Sequence, residues 1–266
     1  MRAMHASVDD VLRNFLDEID REAPDLVEGF YLTGSLALGD YRPGRSDLDF
    51  VGIVAPAQAD ALHRASDRHR RRYPTPALDG IFLSWRDLAE GPDALIGPRP
   101  TIQNGAFSMS EGGGARTPVT WHILADKGLC HRGPALAKTA LWNDAGRLAA
   151  WVRDNLDLYW TPFIERHGRL ASGAGLRALG PWFTDWTVLG ICRLHATLAT
   201  SGIVSKTEAG CLGLDSFARC WHPVIEEALS IHRGGRSIYR DPFGRRRDCL
   251  DFARMAIAAS KELPRW

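Results

Sequence analysis

Two carboxylates one residue apart, in Ser46-Asp47-Leu48-Asp49-Phe50, follow a small-residue turn at Thr33-Gly34-Ser35. Alternate side chains of an extended chain share a face and lie about 6–7 Å apart along it. A strand over residues 47–54 therefore aims Asp47 and Asp49 the same way. Two like charges that close favour a cation between them, and hard oxygen ligands suit Mg²⁺. Gly34 permits a tight turn, and Ser35 opens a segment whose unpaired backbone N–H groups would cradle phosphate. Such residues suit metal-assisted transfer of a phosphorus-centred group.

Asp79 adds a third acid, near the start of a strand expected over residues 77–85 and just before Ile81-Phe82-Leu83. An antiparallel or adjacent strand would bring it beside Asp47 and Asp49. Three carboxylates would hold two metal ions, or two would hold the metal while the third acts as a general base. Paired ions about 3.5–4 Å apart clamp the attacking and leaving oxygens of an in-line displacement.

Positioning these acids requires alternating strands and helices in the first half of the chain. Val8, Val11, Leu12, Phe15, Leu16 and Ile19 recur at helical spacing, and residues 29–32 read as a strand. A Pro/Gly loop at 41–45 leads into the Asp47 strand. A helix over 57–72 ends at Tyr73-Pro74-Thr75-Pro76. Residues 91–100 form a connector, 101–109 a strand, and Glu111-Gly112-Gly113-Gly114 an open loop. Residues 118–129, with Trp121 and Ile123, are expected to complete the sheet. From residue 148 the pattern is helical: 148–167, a Gly-rich break at 168–175, 181–201, 215–231 and 247–261. Pro181 suits a helix start and Gly202 a C-cap. The boundary falls near Gly133-Pro134, giving an α/β (α+β) domain with a mixed sheet at 1–134 and an all-α helical bundle at 135–266. A cleft between two such domains is where small ligands commonly bind.

Composition narrows the classes. No run approaches eighteen apolar residues, and residues 1–20 carry charges throughout without a secretory apolar core. Cys130, Cys192, Cys211, Cys220 and Cys249 are odd in number, scattered, and lack Cys-x-x-Cys spacing, which argues against zinc or a disulfide framework. A cytoplasmic location without membrane association is expected. A formal net charge of +1 argues against nucleic acid as a partner. The arginine runs at 68–72 and 245–247 read as solvated helix faces, and His122 and His195 lack paired metal-ligand spacing.

Residues 32–54 resemble the signature of the polymerase-beta-like nucleotidyltransferase superfamily. Leu78-Asp79-Gly80-Ile81-Phe82-Leu83-Ser84-Trp85-Arg86-Asp87-Leu88 resembles the third-acid strand of the streptomycin/spectinomycin adenylyltransferases. The helical domain of the same aminoglycoside adenylyltransferase family is resembled by Trp186-Thr187-Val188-Leu189-Gly190-Ile191-Cys192-Arg193-Leu194, by Thr200-Ser201-Gly202-Ile203-Val204-Ser205-Lys206 and by Pro223-Val224-Ile225-Glu226-Glu227-Ala228. The likeness spans roughly residues 25–260. It implies transfer of AMP from ATP, with Mg²⁺, to a hydroxyl of an aminoglycoside or aminocyclitol antibiotic, conferring resistance. By the same resemblance Asp47 and Asp49 hold the metal, and Asp79 accepts the hydroxyl proton. Gly34 and Ser35 cover the β- and γ-phosphates, while Arg193 and Lys206 reach the phosphates from the helical domain, which completes the cleft. A monomer is expected. The alternatives are adenylylation of a protein or another metabolite, and a non-catalytic nucleotide-binding sensor.

The chain departs from the family in two places. The third acid is typically Glu, one methylene longer than Asp79, and His232 stands where some members carry a tyrosine. A polyhydroxylated, often cationic acceptor needs a counter-charge and flat faces. Asp185 is the only carboxylate between Glu165 and Glu208, and Trp182, Trp186 and Phe107 offer rings to a sugar.

Overall fold

The computed structural model describes residues 7–55 and 58–264, and the chain divides between Asp144 and Ala145 into two units. This division lies beyond Gly133-Pro134 because the intervening segment is tied to the first unit. Leu136, Leu141 and Trp142 pack on that unit's core. Trp142 N donates to Leu88 O at 3.2 Å, and its ring meets His122 edge-on.

The apolar stripe of residues 8–19 buries one face of α1 (Val8–Glu22), whose N-cap Ser7 accepts from Asp10 N at 3.1 Å. β1 (Val27–Leu32), α2 (Gly34–Ala37), β2 (Leu48–Val54), α3 (Ala59–Arg72) and β3 (Leu78–Leu83) follow. The expected helix start at residue 57 lies outside the described residues. The chain then forms α4 (Trp85–Glu90), β4 (Arg99–Gln103), β5 (Ala106–Ser110), α5 (Pro118–Lys127) and β6 (Leu129–Arg132). Six strands make one mixed sheet in the order β5-β4-β3-β2-β1-β6. β2 and β3 are parallel because the chain crosses over through α3, and the other neighbours are antiparallel.

Period-two alternation sorts the strand residues between two cores. Leu48, Phe50, Leu78 and Phe82 bury with α1 and α3, whereas Val51, Ile53, Ile81 and Leu83 bury with Leu88, Trp121 and Leu124 of α4 and α5. Asp49 and Asp79, each two residues ahead of Val51 and Ile81, fall on the second face.

Across the first core, His69 of α3 has its Nδ1 2.9 Å from Asn14 Oδ1, and Glu18 binds Arg68 at 2.8 Å. Burial pushes the His69 pKa down to about 4, with the Glu18 charge opposing. The unfolded chain, near its ordinary 6.5, binds a proton that the folded imidazole refuses. Stability should therefore fall as pH drops from about 6.5 to about 4, by about 3 kcal/mol in all. Denaturant melts across this range should show a shallower slope for His69→Gln than for the wild type, the remainder coming from His167 and His195, whose pKa values burial also lowers. An equal slope in both would remove His69 as its source.

Two expectations for the first unit are corrected. Residues 101–109 form the β4–β5 hairpin, because Asn104 (φ 50°) and Gly105 (φ 73°) make a left-handed two-residue turn. Residues 118–127 are helix α5, packed on the sheet by the consecutive buried residues Thr120, Trp121, His122, Ile123 and Leu124. The strand that extends the sheet beyond β1 is β6.

The second unit is helical, as expected. α6 (Ala145–Asn155) runs through a π-helical segment, Leu156–Trp160, into α7 (Thr161–Gly168), and α8 (Gly173–Arg177) occupies the Gly-rich break. α9 (Pro181–Thr184) passes through a second π segment, Asp185–Leu189, into α10 (Gly190–Thr200). α11 (Lys206–Ser216), α12 (His222–His232) and α13 (Pro242–Lys261) complete it. Ser201, at φ 60°, is the left-handed cap of α10 in place of Gly202, its N–H bonded to Thr197 O. The helix expected over 215–231 is broken by extended Phe217 and a 3₁₀ turn, Arg219–Trp221. α11 has no counterpart among the expected helices. α13 starts earlier than 247, where Asp241 accepts from Phe243 N and Gly244 N.

Candidate active site

The end of β1 and the start of β2 build the first half of the site. Thr33 N donates to Asp49 O at 3.0 Å, extending the ladder to the turn. Gly34 then adopts φ 58°, and a Cβ there would lie 1.9 Å from Asp49 Oδ2. Only glycine both tolerates that dihedral and leaves room for the carboxylate. Beyond it Asp40 N donates to Ser35 O at 2.8 Å, closing the turn around α2. Thr33 Oγ1 and Ser35 Oγ are buried without a hydrogen-bond partner. In the loop before β2, Arg42 pairs with Asp40 at 2.8 Å, and its N–H donates to Ser46 Oγ at 3.0 Å.

Parallel pairing supplies the third acid. Leu48 N donates to Ala77 O at 2.8 Å, and the register sets Asp49 beside Asp79. Asp47 stands just before β2 and counts as exposed, yet crowding by neighbouring atoms raises its pKa through desolvation. Asp79 is raised by burial and further by the Asp47 charge, against an Asn104 backbone N–H that favours its ionised form. The β4–β5 turn thus touches the third acid, a role for Asn104 that the sequence reading missed. Its signal was present in the Asn-Gly dipeptide between extended segments.

Helices α9 to α12 carry the remaining candidates. Trp182 and Trp186, one turn apart, stack at 6.1 Å between centroids, and Trp182 stays 56% exposed, a large ring face left to solvent. Trp186 Nε1 donates to the hydroxyl of Tyr159 at 3.2 Å, adding Tyr159 to this aromatic group. Lys206 opens α11 behind the N-cap Ser205, with Nζ 5.2 Å over the Trp186 ring and 3.8 Å from Asp185 Oδ1. His232 Nδ1 lies 3.1 Å from the same oxygen. Arg193 Nε donates to Val204 O at 3.2 Å, which brings this guanidinium next to the start of α11. Phe107 belongs to the first unit, on β5, stacked on His63 at 4.9 Å and packed against the first core.

Residues 12–73 match the family described as Nucleotidyltransferase domain, a span that holds Gly34, Asp47 and Asp49 and stops before Asp79. Residues 176–258 match Aminoglycoside adenylyltransferase, C-terminal domain, a span that holds Trp182, Asp185, Trp186, Arg193, Lys206 and His232. No curated protein matches the sequence. Among solved structures, the fold resembles a spectinomycin adenyltransferase, AAD(9), from Enterococcus faecialis with ATP and spectinomycin. The TM-score is 0.67 at 11% identity, covering 96% of this chain and 100% of that one.

Proposed function

We propose that this chain, which belongs to the aminoglycoside adenylyltransferase family of the nucleotidyltransferase superfamily, transfers AMP from ATP to a hydroxyl of an aminoglycoside or aminocyclitol antibiotic. The observation that carries the chemistry is the pairing of Asp49 with Asp79 across β2 and β3, with Gly34 against the Asp49 carboxylate. Spectinomycin and ATP, which the AAD(9) structure contains, are the first acceptor and donor to try.

Mg²⁺ fits the residues present. Asp47 and Asp49 offer hard oxygens, and the unpartnered hydroxyls of Thr33 and Ser35 lie at the adjoining turn. Among the described residues no three His, Cys, Asp or Glu side chains gather as a metal cluster. Mg²⁺ is commonly held by one or two carboxylates, with nucleotide phosphates completing its shell. When bound, the ion would neutralise phosphate charge and polarise the phosphorus under attack.

Each residue then has a defined task. Asp79, a stronger base for being buried, takes the proton from the acceptor hydroxyl as that oxygen attacks the α-phosphorus. The bond from the α-phosphorus to its bridging oxygen breaks, and pyrophosphate leaves. The Gly34 turn and Ser35 hydroxyl receive the terminal phosphates, and Arg193 and Lys206 supply charge-assisted bonds to them. Trp182 and Trp186 present stacked faces to a sugar ring. Positioning and charge neutralisation account for most of the rate.

The reading also takes the enzyme as a cytoplasmic monomer without a nucleic-acid partner. Its supports are the near-neutral charge and, among the described residues, no helix long and apolar enough to cross a membrane. Pyrophosphate release should require ATP, a divalent cation and an antibiotic acceptor together, and chelation should stop it. Release that ignores the acceptor would count against the proposal.

Two variants probe the nucleotide side. Gly34→Ala meets both the left-handed dihedral and the Asp49 carboxylate. It should lower stability by about 1–2 kcal/mol and turnover by about tenfold or more. Wild-type turnover would show that the Asp49 contact is dispensable. Lys206→Ala should weaken ATP by about 1.5–3 kcal/mol, roughly tenfold to over a hundredfold, in calorimetry with Mg²⁺. Unchanged affinity would retire that assignment.

A further inference from the structure

We infer that Asp185 is a positioning residue that holds Lys206 for the nucleotide, in place of the acceptor counter-charge its isolation in the sequence implies. The inference rests on the reading of Lys206 as a phosphate contact. One carboxylate oxygen, Asp185 Oδ1, meets His232 Nδ1 at 3.1 Å and Lys206 Nζ at 3.8 Å. The three groups come from three elements: the π segment before α10, the first residue of α11 and the last residue of α12. All are largely enclosed, with side chains 20%, 23% and 14% exposed for Asp185, Lys206 and His232. An amine-bearing acceptor approaching Asp185 would meet a carboxylate already facing two nitrogen donors of this chain.

Lys206 also needs the help. A cation in the first turn of a helix opposes the macrodipole, so its place at the start of α11 is locally unfavourable. A lysine side chain is a long rotor, and fixing it costs rotamer entropy. Asp185 offsets the first effect, and Trp186 helps confine the rotor by lying 5.2 Å beneath the ammonium. Asp185 and Trp186 are adjacent in the π segment Asp185–Leu189, and both side chains reach the Lys206 ammonium. Trp186 is itself held through its indole N–H by Tyr159.

The test is a double-mutant cycle on the full chain, read by calorimetry with ATP and Mg²⁺ and by steady-state kinetics with spectinomycin or another accepted antibiotic. Asp185→Asn should weaken ATP about tenfold while the antibiotic KM stays within about twofold. In the Lys206→Ala background the same change should add no more than about twofold, because the residue to be positioned is gone. Asp185→Glu should recover much of the ATP affinity, and it serves the same comparison if the amide variant fails to fold. Independent, multiplying losses, or a raised antibiotic KM with unchanged ATP affinity, would overturn the inference while leaving Lys206 as a phosphate contact. An unchanged ATP affinity in Lys206→Ala would instead overturn that underlying reading and the inference with it.

Discussion

Asp79→Asn is expected to lower single-turnover adenylylation by about 10²–10⁴-fold, about 3–5.5 kcal/mol of barrier, while leaving ATP affinity with Mg²⁺ largely intact. Asp79 comes from a different strand than Asp47 and Asp49, and the Asn104 amide at its carboxyl fixes it from the hairpin side. The amide variant keeps the shape but cannot take a proton. Asp79→Glu should stay active, since it restores the longer acid typical of the resembling family. Loss of ATP binding in step with turnover would make Asp79 a metal or structural residue. Full turnover in Asp79→Asn would remove the three-carboxylate account.

Asp47→Asn and Asp49→Asn should each cost several kcal/mol of barrier, at least about 10³-fold in rate, without unfolding the protein. Both side chains sit at the opening of β2, outside the two cores that hold the sheet. An amide still accepts hydrogen bonds but loses the charge that would hold a hard cation. Unfolding midpoints close to wild type, together with turnover below detection, are the expected pair of results. Near-wild-type pyrophosphate release from both variants would refute the metal assignment.

Much of the first unit's candidate site was legible because it rests on period two. Asp47, Asp49, Val51 and Ile53 alternate with Leu48 and Phe50, and the structure divides the buried ones between two cores as alternation requires. The Asp79 strand was expected beside the Asp47 strand, but the parallel direction of that pair was not legible, since it depends on the α3 crossover rather than on any local pattern. Helix α5 was misread because the buried run from Thr120 to Leu124 has no polar stripe to reveal a period of 3.6. α11 escaped notice for a related reason. Gly210 and Gly213 weaken its helical signal, yet a Cβ at Gly210 would collide with Leu229 and Leu189, so close packing is what requires glycine there. That helix matters, because Lys206 is its first residue. Asp185 shows the remaining limit: its sequence neighbours suggested an isolated charge, and only the fold brings Lys206 and His232 to it.

The most direct test of the central claim is mass spectrometry of spectinomycin and a panel of aminoglycosides after incubation with the purified protein, ATP and Mg²⁺. The account predicts that at least one antibiotic gains a single adenylyl group, with pyrophosphate released in equal amount, and that Asp79→Asn gives neither. An unmodified panel under conditions where the protein binds ATP, or adenylylation that persists undiminished in Asp79→Asn, would contradict it.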